Sequence, residues 1–121
     1  MKEFKPDIQE IDLETFVPGF SRWNDEYTSM IIAFFMKRCN DMVVKSRSFN
    51  NEIYVSCNLY AIACTSSIVC VKQNGNAVLN GIPFKIDYDL NENEFYVVNK
   101  TEPALKPLYG KFNNLKNIFE L

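Results

Sequence analysis

The chain contains no histidine among its 121 residues. Histidine is the usual general base at neutral pH and a very common metal ligand, because its imidazole titrates close to physiological pH. Its absence excludes Ser–His–Asp and Cys–His nucleophilic sites, together with every imidazole metal ligand. Any catalysis would therefore depend on carboxylates, thiols, tyrosine or lysine.

Glycine is also scarce, and Gly19, Gly75, Gly81 and Gly110 lie far apart in the chain. Loops that hold phosphate groups need clustered glycines, so that several backbone amides can approach the oxygens. The sequence shows no such cluster. We therefore expect no nucleotide-binding loop and no bound cofactor.

Long apolar runs and a strong charge of one sign are absent as well. Residues 30–36 are apolar without a break, but Lys37 and Arg38 end the run well short of the roughly 20 residues that span a membrane. The 13 basic and 15 acidic residues give a net charge of −2. We expect no membrane span, and the charge disfavours a strongly basic nucleic-acid-binding protein.

The four cysteines, Cys39, Cys57, Cys64 and Cys70, include no Cys-x-x-Cys pair. Zinc sites built from thiolates usually contain such pairs, so no metal site is predicted. Residues 1–7 show no apolar signal core. We therefore expect free, buried thiols in the reducing cytoplasm, with a virion as the alternative location.

The length indicates a single domain over residues 1–121. Residues 1–20 are predicted to be an N-terminal arm, and residues 24–64 a helical part in which Asn24 or Asp25 caps a long helix. Its apolar residues recur at helical spacing and indicate a buried helix. Residues 52–64 fit either a helix or a strand, and their length and small residues favour a helix.

Residues 67–99 are predicted to form antiparallel hairpins, because short β-rich stretches alternate with the turn signals Asn74-Gly75 and Asn80-Gly81. Residues 104–121 are predicted to be an amphipathic helical tail. The predicted fold class is thus α+β, with one or two N-terminal helices packed on a small antiparallel β-meander and a C-terminal helical tail.

Paired carboxylates are the one candidate for metal binding or acid–base chemistry. Asp87 and Asp89 lie on the same side of a predicted strand, and Glu92 and Glu94 follow. The stretch lacks the glycine of a calcium-binding loop, and charges around a hairpin turn are usually solvated. The solvated interpretation is favoured, so no catalytic residue is predicted.

Two segments carry residue types that dominate protein interfaces. Arg22 and the single tryptophan, Trp23, precede the long helix, and Trp and Arg are enriched at binding hot spots. Phe112, Leu115 and Phe119 lie on the apolar side of the predicted tail. These five residues are the predicted interface, and whether the terminal segments dock on their own chain or on another one is left open.

We therefore predict a non-enzymatic protein–protein interaction or assembly module with a protein partner or self-association. The abundance of Asn, Lys, Ile, Phe and Tyr is common in AT-rich genomes, which favours a phage or viral structural or accessory protein, such as a virion component or an inhibitor of a host protein. The predicted order of elements over residues 24–98 resembles collar or portal proteins of small tailed phages, in element order only and without a diagnostic motif.

Two alternatives are weighed against this function. A nucleic-acid-binding module would use aromatic residues among basic ones, such as Lys37, Arg38, Lys45 and Arg47 at a helix end. A small histidine-free enzyme would use carboxylates. The acidic net charge disfavours the first alternative, and the missing motifs disfavour the second.

Overall fold

The computed structural model describes residues 9–12, 23–66, 68–71 and 76–113. Within these ranges, two helices and seven strands follow one another along the chain. They are β1 (Gln9–Asp12), α1 (Trp23–Ser46), β2 (Asn51–Val55), α2 (Cys57–Ala63), β3 (Val69–Val71), β4 (Ala77–Leu79), β5 (Ile82–Ile86), β6 (Glu94–Asn99) and β7 (Leu108–Asn113). Neither described helix is long and apolar enough to cross a membrane.

The described strands form one mixed sheet in the order β1-β7-β6-β2-β5-β4-β3. β3, β4 and β5 are consecutive antiparallel neighbours, but β2 lies between β5 and β6. Ile53 of β2 is paired with Phe84 of β5 in parallel and with Val97 of β6 in the antiparallel sense. The predicted small antiparallel meander is therefore wrong, because a strand from the N-terminal half is inserted into it.

The predicted helix over residues 52–64 is also wrong in its first part. β2 ends at Val55, and α2 begins at Cys57. Ser56 between them has an extended backbone, its N–H donates to the carbonyl oxygen of Glu94 (3.0 Å), and its carbonyl oxygen accepts from Tyr60 N–H (3.0 Å). The backbone of Ser56 thus forms hydrogen bonds with both the sheet and the helix. The element order that resembled phage collar or portal proteins is not present.

The C-terminal tail is a third correction. Residues 108–113 form β7 instead of a helix, and its side chains alternate between the two faces of the sheet. Leu108 and Phe112 are buried in the core. β1, within the predicted arm, pairs in parallel with β7, so this part of the arm docks on its own chain. Residues 114–121 and the rest of the arm lie outside the described residues.

Helix α1 covers one face of the sheet. Ile31, Phe35, Cys39 and Met42 recur at helical spacing and are buried beneath it. Fully burying such side chains contributes on the order of 1.5–3 kcal/mol each. Burial also raises the pKa of the Cys39 thiol to about 12, so this cysteine is an unreactive core residue. Cys57 and Cys70 are exposed, so the expectation of buried thiols is wrong for both.

Gly110 leaves room for an aromatic ring in this core. It is the cross-strand neighbour of Phe95, and a Cβ atom at position 110 would collide with the Phe95 ring. Phe95 in turn contacts Phe35 of α1 at 4.8 Å between ring centroids. The glycine is needed for its missing side chain.

We expect Gly110→Ala to lower the free energy of unfolding by about 1–3 kcal/mol, because the buried Phe95 ring must leave its place. Urea denaturation measures the change, and Lys106→Ala, at an exposed residue outside the strands, should change stability by less than about 0.5 kcal/mol. Gly110→Ala combined with Phe95→Leu should cost less than the sum of the two single changes. Additive costs would contradict this account.

Candidate functional site

The sheet face opposite α1 carries a row of tyrosines. Tyr54, Tyr96 and Tyr109 occupy paired positions on β2, β6 and β7. The ring centroids of Tyr54 and Tyr96 are 5.1 Å apart with nearly parallel planes, and those of Tyr96 and Tyr109 are 5.2 Å apart. The Lys85 ammonium lies 5.9 Å from the Tyr54 centroid. The tyrosine rings therefore contact one another side by side.

Carboxylates accept hydrogen bonds from two of these hydroxyls. Tyr54 donates to Glu52 Oε1 at 3.1 Å, and Tyr96 donates to Asp87 Oδ2 at 2.6 Å. Burial, followed by these carboxylates, raises the pKa of both tyrosines. Both hydroxyls are thus held protonated and are not poised to act as bases.

Glu52 is a buried carboxylate between two lysines. Its Oε2 lies 3.0 Å from Lys85 Nζ and 3.9 Å from Lys100 Nζ. Burial by itself raises the pKa of Glu52. The hydrogen bonds from Lys85 and Tyr54 and the two positive charges outweigh burial, so the pKa lies below its ordinary value. This carboxylate is ionised and already neutralised by its neighbours.

The sheet face opposite α1, which we call the open face, therefore offers few free groups for catalysis or ligand binding. A pocket of about 460 Å³ opens beside Glu52, Lys85 and Lys100, but these groups already pair with one another. Asp87 also accepts from the backbone N–H of Asp89 at 2.9 Å, which makes it a turn residue. No group of three or more potential metal ligands occurs among the described residues.

The connection from α1 to β2 presents apolar side chains to solvent. Phe49 is 86% exposed and Val44, in the last turns of α1, is 77% exposed. Four residues lie between them, so five Cα–Cα steps limit the distance between their Cα atoms to below about 18 Å. Lys45 and Arg47 lie between them in sequence and are exposed too. We call these four residues, Val44, Lys45, Arg47 and Phe49, the Phe49 tip.

A buried asparagine holds the turn that carries Phe49. Asn99, the last residue of β6, donates from Nδ2 to Ser46 Oγ (3.2 Å) and to Asn51 Oδ1 (2.9 Å). Its Oδ1 accepts from the backbone N–H groups of Thr101 and Glu102, both at 2.9 Å. The side chain thereby joins the end of α1, the start of β2 and the loop after β6.

A second set of contacts fixes the outer side of the same turn. Thr101 Oγ1 lies 3.3 Å from Ser48 Oγ and accepts from Asn50 Nδ2 at 3.2 Å. The backbone N–H of Lys100 donates to the Asn50 carbonyl oxygen at 2.8 Å. The residues on both sides of Phe49 are therefore tied to the sheet, while its ring is left in solvent.

The basic residues near this end of α1 differ in their partners. Arg38 and Lys37 lie 3.4 and 3.9 Å from Asp41, and Arg38 Nε donates to the Tyr109 carbonyl oxygen. Lys45 and Arg47 have no ion pair with any described residue. Of the basic group suggested for nucleic-acid binding, only these two cations are unpaired within the part of the chain that the structure describes.

The predicted interface residues are not brought together by the described structure. Phe112 is fully buried in the core of its own chain. Trp23 is the first residue of α1, and Arg22, Leu115 and Phe119 lie outside the described residues. Sequence reasoning missed Phe49, although an aromatic residue between the polar Ser48 and Asn50, just after a helix, was the available signal.

Comparison of the chain with protein-family models, curated proteins and solved structures found no match.

We expect Glu52→Gln to lower the free energy of unfolding near neutral pH by an amount at the low end of the range of about 1–3 kcal/mol. The loss is small because both lysines are half exposed. A carboxylate with a lowered pKa contributes stability above its unfolded pKa of about 4.3 and loses it as the pH falls through the folded pKa. The difference between the two proteins should therefore shrink in acid.

Urea denaturation at neutral pH and at about pH 3 measures this difference. Glu92→Gln, a change at an exposed carboxylate, is the control and should have little effect at either pH. A difference between wild type and Glu52→Gln that stays constant across this range would show that Glu52 is not held ionised by its lysines.

Proposed function

We propose that this protein is a protein–protein interaction module and that the Phe49 tip is its docking element. The observation that carries the proposal is an almost fully exposed phenylalanine on a turn that a buried asparagine holds in place. Single exposed apolar residues are normal on protein surfaces. The proposal depends on the combination of exposure, a second exposed apolar residue five positions earlier in the chain and a fixed turn.

The energetics support an aromatic anchor at this position. Moving an exposed Phe side chain into an apolar pocket contributes on the order of 1.5–3 kcal/mol. That corresponds to roughly a tenfold to hundredfold gain in affinity. Because the flanking residues are already hydrogen-bonded, little conformational entropy is lost when the turn docks.

The alternative functions have less support. Base stacking on the tyrosine row needs free aromatic faces, but the Tyr54 ring lies between Tyr96 and the Lys85 ammonium. Acid–base chemistry at Glu52 would have to break its contacts with Lys85 and Tyr54. A phage or viral origin stays a prediction from composition.

Photo-crosslinking tests the proposal directly. Benzoylphenylalanine placed at position 49 should form a discrete adduct with one protein in an extract of the cells that make this chain. The same group at position 88 is the matched control, because Tyr88 is also an aromatic residue with 79% exposure. No adduct from position 49, or the same adducts from both positions, would contradict the proposal.

We expect Phe49→Ala to separate binding from folding. Because the ring is exposed, the free energy of unfolding should change by less than about 0.5 kcal/mol. Unlabelled wild-type protein should compete with the crosslinking probe, whereas Phe49→Ala should compete at least about tenfold less well. A variant that competes like wild type would show that the ring is not the anchor.

A further inference from the structure

We infer that the partner of the Phe49 tip is a protein that presents an apolar pocket with an acidic rim, and that Lys45 and Arg47 pair with that rim. The inference rests on the proposed function and names the chemistry of the partner. It is argued from the charges around Phe49 and from the backbone conformation at Arg47.

The two cations at the tip lack carboxylates in the described part of this chain. Two other exposed lysines do have them, since Lys37 lies 3.9 Å from Asp41 and Lys85 lies 3.0 Å from Glu52. Lys45 is in the last turn of α1, where a positive charge interacts favourably with the helix dipole. That accounts for Lys45 within the chain but not for Arg47, which follows the helix.

Arg47 occupies a backbone conformation that suits glycine better. Its φ is +55°, and its N–H donates to the Val43 carbonyl oxygen at 2.7 Å, as in a left-handed helix cap. The other described non-glycine residues with positive φ are Asn80 and Asn93, and asparagine tolerates this region. Arg47 therefore carries a long charged side chain at a position where the local backbone conformation favours glycine or asparagine.

The small number of cations at the tip favours a compact acidic site on a protein over extended anionic partners. A nucleic acid or an anionic membrane would meet two unpaired cations on a chain whose net charge is −2. Binding to nucleic acid usually neutralises many phosphates, and membrane association by basic segments uses clusters of cations. Two exposed cations close in sequence to one exposed aromatic residue match a small pocket with a few carboxylates.

Charge reversal tests the acidic rim. The benzoylphenylalanine probe at position 49 is combined with Lys45→Glu and Arg47→Glu, and the adduct yield is measured in the same extract. We expect at least about a tenfold loss of adduct. Lys37→Glu with Lys106→Glu makes the same change in net charge at exposed positions elsewhere and should leave the yield unchanged.

Arg47→Gly tests the contribution of the Arg47 charge to binding separately from the stability of the fold. Glycine relieves the left-handed strain, so the melting temperature should stay the same or rise, while the adduct yield falls. Arg47→Lys keeps the charge and should retain most of the adduct. This pair gives a result even if the double reversal fails to fold.

The outcomes distinguish a failure of the acidic rim from a failure of the proposed function. An adduct that persists in the charge-reversed and Arg47→Gly proteins overturns the acidic rim and leaves the proposed function intact. No adduct from the wild-type probe overturns both. Binding of oligothymidylate, or of phosphatidylcholine–phosphatidylserine vesicles, that is lost on charge reversal would overturn the inference in favour of a nucleic acid or a lipid surface.

Discussion

The fold depends on the burial of one face of the sheet beneath α1, and Phe35 is at the centre of that contact. Its ring lies within 6.0 Å of three others, Phe84, Phe95 and Phe112, which come from β5, β6 and β7. β5 and β6 are not neighbours, because β2 lies between them. A single helix side chain therefore joins strands from both sides of β2, and Gly110 leaves the space that Phe95 needs.

The residues that the strands bury against α1 determine which residues lie on the opposite face of the sheet. Because side chains alternate along a strand, every core residue places its neighbours on the open face. There Tyr54 and Tyr96 stack, Tyr109 packs beside Tyr96, and the neighbouring Glu52 and Asp87 are neutralised or hydrogen-bonded. The polar groups of this face are already engaged in contacts with one another. The candidate site therefore lies at the end of α1 instead.

Local sequence predicted the local features and missed the long-range ones. The Asn80-Gly81 turn has the positive φ angles that its residues favour, 53° and 80°. The sequence of β2 fits a helix because the strand passes directly into α2, and a short window averages the two patterns. The sequence of β7 fits a helix because Phe112 also has a helical spacing with residues after it. The parallel pairings of β1 with β7 and of β2 with β5 join distant segments, so no local pattern contains them.

The exposure of Phe49 was unpredictable for the same reason. Its turn is held by Asn99, 50 residues further along the chain, and this contact exists only once β2 and β6 are paired. Folding of the core places Asn99 beside Ser46. The same folding leaves Phe49 of the Phe49 tip exposed to solvent. An unfavourable φ at Arg47 costs about 1 kcal/mol, a small part of the 5–15 kcal/mol that stabilises a typical domain. A chain held together by its aromatic core can therefore accommodate Arg47 in a left-handed turn conformation without losing the fold.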